Sequence, residues 1–291
     1  MVGGTFSPLA HITAGALTPD QLLPYVRAVS GLESRPCAGC VLHHGGGHAV
    51  LVAYPAGTPT DAASVDAAVA EALALPGLEH LTIIAAVRPN AAPADAECSV
   101  DAYWSLPLPL RLPGGRAGQK LRNLLRRAAR ETTIEQDGGA GSWTKEHAAL
   151  TAAFIQKKGE ALDAGSIYIF NRLGDYLAAA PEARLFSARD AGGRLLACAI
   201  GDYSSFTTAF YMFAFRSPMA PPGTADALLA ALAAEGEARG HGLLNLGLGM
   251  SEGVSFFKKK WGATPFLPCV ETSWRPRQEK RRGWFSRMFG H

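Results

Sequence analysis

The sequence predicts a mixed α/β fold made of two tandem units, each a mixed, mostly antiparallel sheet flanked by helices. From residue 143 onward the predicted order is helix, helix, three strands, helix, strand, helix, strand, which is typical of a mixed sheet covered by helices. The first half follows a rougher version of the same order. The Gly-rich segment DGGAGS, residues 137–142, separates the two halves. We therefore expect domains at 1–137 and 143–276, followed by a basic, aromatic tail at 277–291.

The composition supports a globular protein with ample core material. Hydrophobic residues make up 48% of the 291 residues and charged residues 18%. A net charge of +3 is too small to indicate nucleic-acid binding by itself, so any basic function must be local. The N-terminus lacks the features of a signal peptide, and no apolar run is long enough to span a membrane. We expect a cytoplasmic protein.

Elements of the first unit follow from local patterns. Apolar runs around glycine turns predict strands, an Ala-rich segment after the possible N-cap Asp61 predicts a helix, and helical spacing of leucines predicts an amphipathic helix. These patterns give two strands within residues 37–57, a helix at 61–75, strands at 81–89 and 98–110, a helix at 117–131 and a strand starting at 132.

The second unit is predicted in the same way. An alternating pattern with the turn DAGGR is typical of an antiparallel meander, and a Pro-Pro pair before an apolar run marks the start of a long helix. The predicted elements are helices at 144–162 and 167–180, a meander at 183–216, a helix at 221–240, a strand at 243–249, a helix at 253–262 and a last strand from 270.

The cysteines do not indicate a metal site. Five cysteines without a signal peptide are expected to be reduced thiols. Cys37 and Cys40 form a CxxC followed by the segment HHGGGH, but there is no second CxxC to complete a zinc site. We interpret the pair as small strand residues beside a turn, with redox or metal chemistry as the alternative.

Three segments resemble the GNAT acyltransferase superfamily, in particular its tandem-domain group with the Fem-type peptidoglycan aminoacyltransferases. Residues 120–131, KLRNLLRRAARE, are similar to the basic helix joining the two halves in that group. Residues 221–247 resemble its helix, closing glycine and strand, with Asn245 before Leu-Gly. Residues 257–263, FKKKWGA, resemble the FKxxFGA signature with Trp in place of Phe. The resemblance covers about half the chain, and residues 1–110 carry almost none of it.

The resemblance implies transfer of an acyl or aminoacyl group from an activated donor to an amine acceptor, with formation of an amide. The donor would be an acyl-CoA or an aminoacyl-tRNA, without a metal. CoA-binding members usually carry Q/R-x-x-G-x-G/A before the long helix, and only the G-x-A end is retained here at residues 223–225. This departure suits the Fem-like branch. A non-catalytic binding or scaffold protein is the alternative.

Donor-binding residues follow from the same resemblance. Donor phosphates would lie at the start of the long helix, where free backbone N–H groups and the helix dipole favour an anion. Gly223 would allow close approach of the donor and Thr224 would offer a hydroxyl. The expected donor-binding residues are Phe213, Phe215, Pro222, Gly223, Thr224, Ala225 and Asn245.

The triple lysine supplies the candidate catalytic residue. Three consecutive helical residues point about 100° apart, so they cannot share one site. Lys258, at the signature position beside Phe257, is expected at the cleft, where its ammonium could stabilise an oxyanion. Lys259 and Lys260 are expected to be solvated. Tyr211 is the candidate acid for the leaving group, and Asp202, Glu252 and Glu271 are candidate bases by position only.

Two basic segments have alternative interpretations. The helix at 120–131 is either a solvated amphipathic helix or a contact for an anionic substrate or tRNA. The tail at 277–291 combines cations with aromatics and could lie on an anionic membrane surface; disorder or packing on a partner is the alternative.

Overall fold

The computed structural model describes residues 8–54, 62–249 and 252–275. All strands of these residues join in one sheet with the order β1-β2-β3-β4-β11-β5-β10-β9-β8-β7-β6. The predicted mixed α/β architecture is confirmed. The two sheets that the sequence predicts are continuous, because strands of one half are hydrogen-bonded to strands of the other.

The strands are β1 (Glu33–Cys37), β2 (Cys40–Gly45), β3 (His48–Ala53), β4 (His80–Ala85), β5 (Glu97–Pro107), β6 (Thr133–Asp137), β7 (Ala183–Arg189), β8 (Leu195–Asp202), β9 (Thr208–Arg216), β10 (Leu243–Leu248) and β11 (Thr264–Trp274). The helices are α1 (Pro8–Ala14), α2 (Leu23–Ser30), α3 (Ala62–Leu73), α4 (Gly115–Glu131), α5 (Lys145–Lys158), α6 (Ala164–Phe170), α7 (Leu173–Ala179), α8 (Thr224–Ala238) and α9 (Glu252–Lys260). No helix in the described part of the chain has the length and apolarity needed to cross a membrane.

The two halves of the sheet repeat one topology. In each, a three-stranded antiparallel meander is followed by a helix and a parallel strand: β1-β2-β3, α3 and β4 in one half, and β7-β8-β9, α8 and β10 in the other. The strand next to β4 is β11, and the strand next to β10 is β5. Each half therefore takes its next strand from the other half of the chain, and β5 and β11 pair with each other at the centre.

Helices cover both faces of the sheet. Alternate residues of the meander face opposite sides: Phe186 and Ala209 pack with α4 and α8, whereas Leu185 and Phe210 pack with α2 and α7. This alternation is the period of two that strands impose. In the other half, α3 covers β2, β3 and β4 on one face, and Ile12 of α1 packs on the opposite face.

The CxxC lies in the turn of a hairpin. Cys37 and Cys40 are register partners at the ends of β1 and β2, and Ala38 and Gly39 between them have φ of 43° and 81°. Both thiols are free and buried, and burial raises the pKa of Cys37 to about 12 and of Cys40 to about 11. Such thiols are poor nucleophiles at neutral pH. Among the described residues, no group of three or more His, Cys, Asp or Glu side chains could hold a metal ion.

The boundary predicted at residues 137–143 falls between β6 and α5, in a segment without helix or strand. Division into domains at this position stays a prediction, since β6 pairs with β7 of the following half and β11 lies between strands of the preceding half. The predicted tail at 277–291 lies outside the described residues.

Helices α4 and α8 approach each other closely at Gly223, the N-cap of α8. Its φ of 95° is a left-handed conformation. A Cβ placed on Gly223 would lie 2.3 Å from the carbonyl oxygen of Leu124 in α4. Only glycine fits both the backbone angle and the space.

We predict that Gly223→Ala lowers the free energy of unfolding by about 3 kcal/mol or more, because it combines left-handed strain with a backbone clash. Gly240→Ala is the matched control: its φ is 83°, and no described heavy atom lies within 4 Å of the added Cβ. The control should cost about 1 kcal/mol from strain alone. Denaturant unfolding of both variants measures the difference, and equal losses would contradict the α4–α8 contact.

Candidate active site

Strands β9 and β10 diverge at the centre of the second half. Their parallel register runs from Thr208–Leu243 to Phe210–Asn245, while β9 continues to Arg216. Beyond Asn245, β10 bulges against its other neighbour, β5, before Leu248 pairs with Tyr103. The separation leaves a notch between the C-terminal ends of two parallel strands, where open α/β sheets commonly bind ligands.

Asn245 holds the bulge at this end of β10. Its side-chain Nδ2 donates to the carbonyl of Leu17 at 2.7 Å, and its Oδ1 accepts from the N–H of Gly247 at 2.7 Å. Gly247 has φ of 76°, which suits glycine. Asn245 is buried and bonded to the backbone on both sides of its amide, so its visible role is to shape the notch. A role in donor binding stays a prediction.

Lys258 is buried, with 3% of its surface exposed, and its ammonium reaches the end of β10. Nζ donates to the carbonyl oxygen of Gly247 at 2.8 Å and to that of Leu248. Burial lowers the pKa of Lys258 to about 8, and the charge of Asp101 opposes this shift. The sequence placed Lys258 at the cleft, and the structure places its ammonium at the bulge where β10 ends beside the notch.

The neighbouring lysines have different environments. Lys259 is exposed, and its Nζ lies 5.8 Å from the centroid of the Trp104 ring. Lys260 is only partly exposed and forms an ion pair with Asp226, with Nζ and Oδ1 2.5 Å apart. The expectation that Lys260 is solvated is wrong, because a helical turn brings it against the start of α8. Phe257 and Trp261 pack in the core, as their shared helix face predicts.

We predict that Lys260→Ala lowers the free energy of unfolding by about 1–3 kcal/mol, because it leaves the buried carboxylate of Asp226 without its cation. Asp226 would keep the hydrogen bond from Trp261 Nε1, 2.9 Å from Oδ1, so folding should survive. Lys259→Ala serves as control and should change stability by less than about 0.5 kcal/mol. Thermal and denaturant unfolding compare the two variants. Equal stabilities would contradict a stabilising effect of the ion pair.

The start of α8 is already occupied by parts of the protein. Thr224 is fully buried, and its hydroxyl donates to the carbonyl of Pro221 at 2.8 Å. The close approach at Gly223 is to α4. The hydroxyl of Thr224 and the space beside Gly223 thus have roles within the protein, and binding of a phosphate at these two residues stays a prediction. Asp226 adds a carboxylate to the first turn, where an anion is favoured by the helix dipole.

The remaining donor-site residues lie around this helix start and on β9. Pro222 is exposed, and Ala225 is half-buried. Phe213 and Phe215 pack in an aromatic cluster on the face of α2 and α7, each 6.0 Å or less from the ring of Phe170. Binding of a donor by these residues stays a prediction.

Tyr211 lies on the opposite face of β9, against the cluster of α4 and α8. Burial, together with the charge of Asp226, raises the pKa of its hydroxyl. The hydroxyl therefore stays protonated at neutral pH and can donate a hydrogen bond.

An open pocket adjoins the end of β10. Its volume is about 670 Å³, and it is lined by Val100, Asp101, Trp104, Gly249, Glu252, Ser255, Phe256 and Lys259. Asp101 Oδ1 accepts from the N–H of Gly249 at 3.1 Å, which fixes one wall. Val100 and Phe256 are 77% and 70% exposed at its rim. Two carboxylates, one lysine and exposed apolar surface can together receive a ligand with a positive group and an apolar part.

Asp20 is a carboxylate that sequence reasoning missed. It lies in a 3-10 turn at Pro19–Gln21, and its Oδ2 accepts from the hydroxyl of Tyr103 at 3.0 Å. Burial raises the pKa of Asp20, although the Tyr103 bond opposes the shift. Because Tyr103 is the register partner of Leu248, Asp20 belongs to the same end of β10 as Lys258. The segment TPDQ predicts a turn, but nothing in it predicts the contact between Asp20 and Tyr103.

The bases suggested by the sequence lie elsewhere or serve the fold. Asp202 accepts from the hydroxyl of Tyr176 at 2.6 Å and from the N–H of Ser204 at 2.9 Å, within the core under α7. Glu271 is exposed in the middle of β11. Glu252 begins α9 and lines the open pocket. Of the three, only Glu252 lines the open pocket, whereas burial and the charge of Asp20 together raise the pKa of Glu271.

We predict that Asp20→Asn raises the melting temperature at pH 7–8 and that the gain shrinks on acidification. A raised pKa means that the ionised carboxyl is the costly form in the folded protein, so Asp20 stabilises below its unfolded pKa and loses this contribution as pH rises through the folded value. Asparagine keeps an acceptor for Tyr103 without the charge.

Glu160→Gln, at an exposed carboxylate in a 3-10 turn, is the control and should show no comparable gain. Melting curves from pH 4 to pH 8 test the prediction. A loss of stability for Asp20→Asn across this range would contradict the burial of a charged carboxyl.

Comparisons with known proteins agree with this geometry at the level of fold. No protein-family model matches the sequence, and no curated protein matches it significantly. Among solved structures, L-PGS from Bacillus licheniformis is 16% identical, with a TM-score of 0.58 over 93% of this chain and 95% of that one. FemX is 12% identical, with a TM-score of 0.58 over 94% and 96%.

A GCN5-related N-acetyltransferase from Kribbella flavida is 16% identical, with a TM-score of 0.51 over 92% of this chain and 95% of that one. These likenesses extend over nearly the whole of each chain. The chain has the GNAT fold, as the FKxxWGA signature and the helix-glycine-strand segment predict.

Proposed function

We propose that this protein is an N-acyltransferase that moves an acyl or aminoacyl group from an activated donor to an amine acceptor and forms an amide. The observation that carries the proposal is the buried ammonium of Lys258 at the diverging end of β10, in a fold shared with a protein named as an N-acetyltransferase. Burying an ammonium costs free energy, which favours a functional reason for keeping it.

The reaction needs little from the protein beyond placement and charge. The neutral amine attacks the donor carbonyl, the carbonyl oxygen becomes an oxyanion, and the donor leaves as a thiol or as a ribose hydroxyl. An ammonium has three donor hydrogens, and Gly247 and Leu248 accept from two. We assign the third to the developing oxyanion.

Proton transfer is assigned to the groups around the notch. Asp20 is the proposed acceptor for the amine's proton, since a carboxyl with a raised pKa is a better base near neutral pH. Tyr211, kept protonated by burial, is the proposed donor to the leaving group. The open pocket beside Asp101 is the proposed place for the acceptor amine.

Between the two donors, the start of α8 favours aminoacyl-tRNA. A CoA pyrophosphate at this helix would meet the carboxylate of Asp226, the internally bonded Thr224 and the backbone of α4. The first turn thus already holds a protein carboxylate where the helix dipole favours an anion, which leaves less reason for a phosphate there. The expected cytoplasmic location remains a prediction of the sequence.

We predict that Lys258→Met lowers kcat/KM for amide formation about 100-fold, the usual loss for an oxyanion donor. Transfer from labelled acyl-CoA and aminoacyl-tRNA to a panel of primary amines is measured with purified full-length protein. Lys145→Met, at the exposed first residue of α5, is the control and should retain full activity.

Lys258→Met also leaves the carbonyls of Gly247 and Leu248 without a donor, so some loss of stability is expected. Melting curves must show that the variant is folded at the assay temperature. Full activity of a folded Lys258→Met would remove Lys258 from the chemistry. Saturable binding of neither donor by the wild type would favour the alternative, a non-catalytic protein with this fold.

A further inference from the structure

Helix α4 has one strongly basic face. The helix contains six cations and a single acid, Glu131. The cations are Arg116, Lys120, Arg122, Arg126, Arg127 and Arg130. All are exposed except Arg122, which is half-buried. The only ion pair recorded for these cations joins Arg127 to Glu131 at 2.8 Å, within the part of the chain described.

The cations share one side of the helix. At about 100° per residue, all six fall within an arc of roughly 160°. The hydrogen-bonding side chains of Gln119 and Asn123 lie within the same arc and contact Arg122 and Arg126. From Arg116 to Arg130 the face is about 21 Å long at 1.5 Å per residue. A row of charges of this length suits a repeating anion better than a single small one.

The opposite side of α4 is committed to the core. Leu121 and Ala128 are fully buried in the cluster with α8, and Leu125 packs against it. A helix that lies in a membrane surface must insert its apolar side between lipids. In α4 that side is covered by α8 and the sheet. None of the described large apolar side chains that are exposed belongs to α4. The free face of α4 can therefore bind an anionic partner through its charges but has no large apolar side chain to insert between lipids.

Helix α4 packs against an element that borders the notch. The carbonyl of Leu124, at the middle of α4, approaches the N-cap of α8 at Gly223. Residues 217–223 connect that helix start to the end of β9, one side of the notch. The basic face is the free side of the same helix.

The composition of the face favours phosphodiesters. Five of its six cations are arginines, whose planar guanidinium binds phosphate oxygens with two parallel hydrogen bonds. Contacts of this kind recognise a backbone without reading its sequence. The amides of Gln119 and Asn123 can add hydrogen bonds to phosphate or ribose oxygens.

We propose that the exposed basic face of α4 binds the phosphodiester backbone of RNA. The inference rests on the proposed function in one respect, because it selects the aminoacyl-tRNA among its two donors. Binding itself involves no step of the transfer reaction, so it can be tested without any acceptor or any turnover.

The test measures binding of deacylated mixed tRNA to the full chain between about 50 and 200 mM salt. The test variant is Lys120→Glu with Arg126→Glu. The control is Lys145→Glu with Lys157→Glu, two exposed cations on α5, which packs on the other face of the sheet. Both variants change the net charge equally, and melting curves confirm that both are folded.

We expect the α4 variant to bind tRNA at least tenfold more weakly than the control, with the slope of log K against log salt reduced by about two. Equal binding by the two variants would assign the affinity to overall charge and overturn the proposal. Absence of tRNA binding by the wild type would also overturn it. So would α4-dependent binding to phosphatidylglycerol vesicles without binding to tRNA. If tRNA binds but no transfer occurs, the proposal on α4 stands and the proposed transferase function falls.

Discussion

The exchange of β5 and β11 between the two halves is the constraint on which the rest of the structure depends. β5 pairs with β11 along almost its whole length and with β10 on its other side, while β11 pairs with β4. The hydrogen bonds of these central strands therefore join two similar meanders into one sheet. The same pairing fixes the end of β10, because Leu248 lies opposite Tyr103. The first half of the chain thereby supplies one wall of the candidate site, and neither half would form it alone.

At the end of β10 several polar groups are held at a cost to stability. The ammonium of Lys258 is bonded to backbone carbonyls, and the carboxyl of the half-buried Asp20 accepts from a tyrosine hydroxyl. Desolvation moves both pKa values towards neutrality from opposite directions. A buried charge of either sign is easily replaced by a neutral side chain when only stability matters. Two such groups at one strand end, beside an open pocket, are the arrangement expected of a site for proton transfer and charge stabilisation.

The start of α8 interacts with a carboxylate of the protein itself. Its dipole attracts the carboxylate of Asp226, which in turn holds Lys260 and the indole of Trp261 from the helix after β10. These two contacts hold α9 against the start of α8. Locking α9 also sets the position of Lys258, since Lys258, Lys260 and Trp261 belong to the same two turns. Within the triple lysine, Lys260 anchors the helix, and Lys258, two residues earlier, reaches the proposed site.

The sequence by itself determined the elements and their order. Period-two alternation in the meander, the leucine spacing of α4 and the glycines that end α8 and α9 are local signals, and they predicted the strands and helices close to their observed positions. The signature FKKKWGA also singled out Lys258, the one lysine of the three that is buried, and its catalytic role stays a prediction. Only the tertiary structure decided which strands are neighbours, because pairing between β5, β10 and β11 depends on contacts between residues far apart in the chain. For the same reason the sequence could not show that Asp226 fills the start of α8, that Lys260 is paired, or that Asp20 lies at the end of β10. Each of these contacts joins polar or charged groups from separate elements. The burial that shifts their pKa values also arises only when the chain folds.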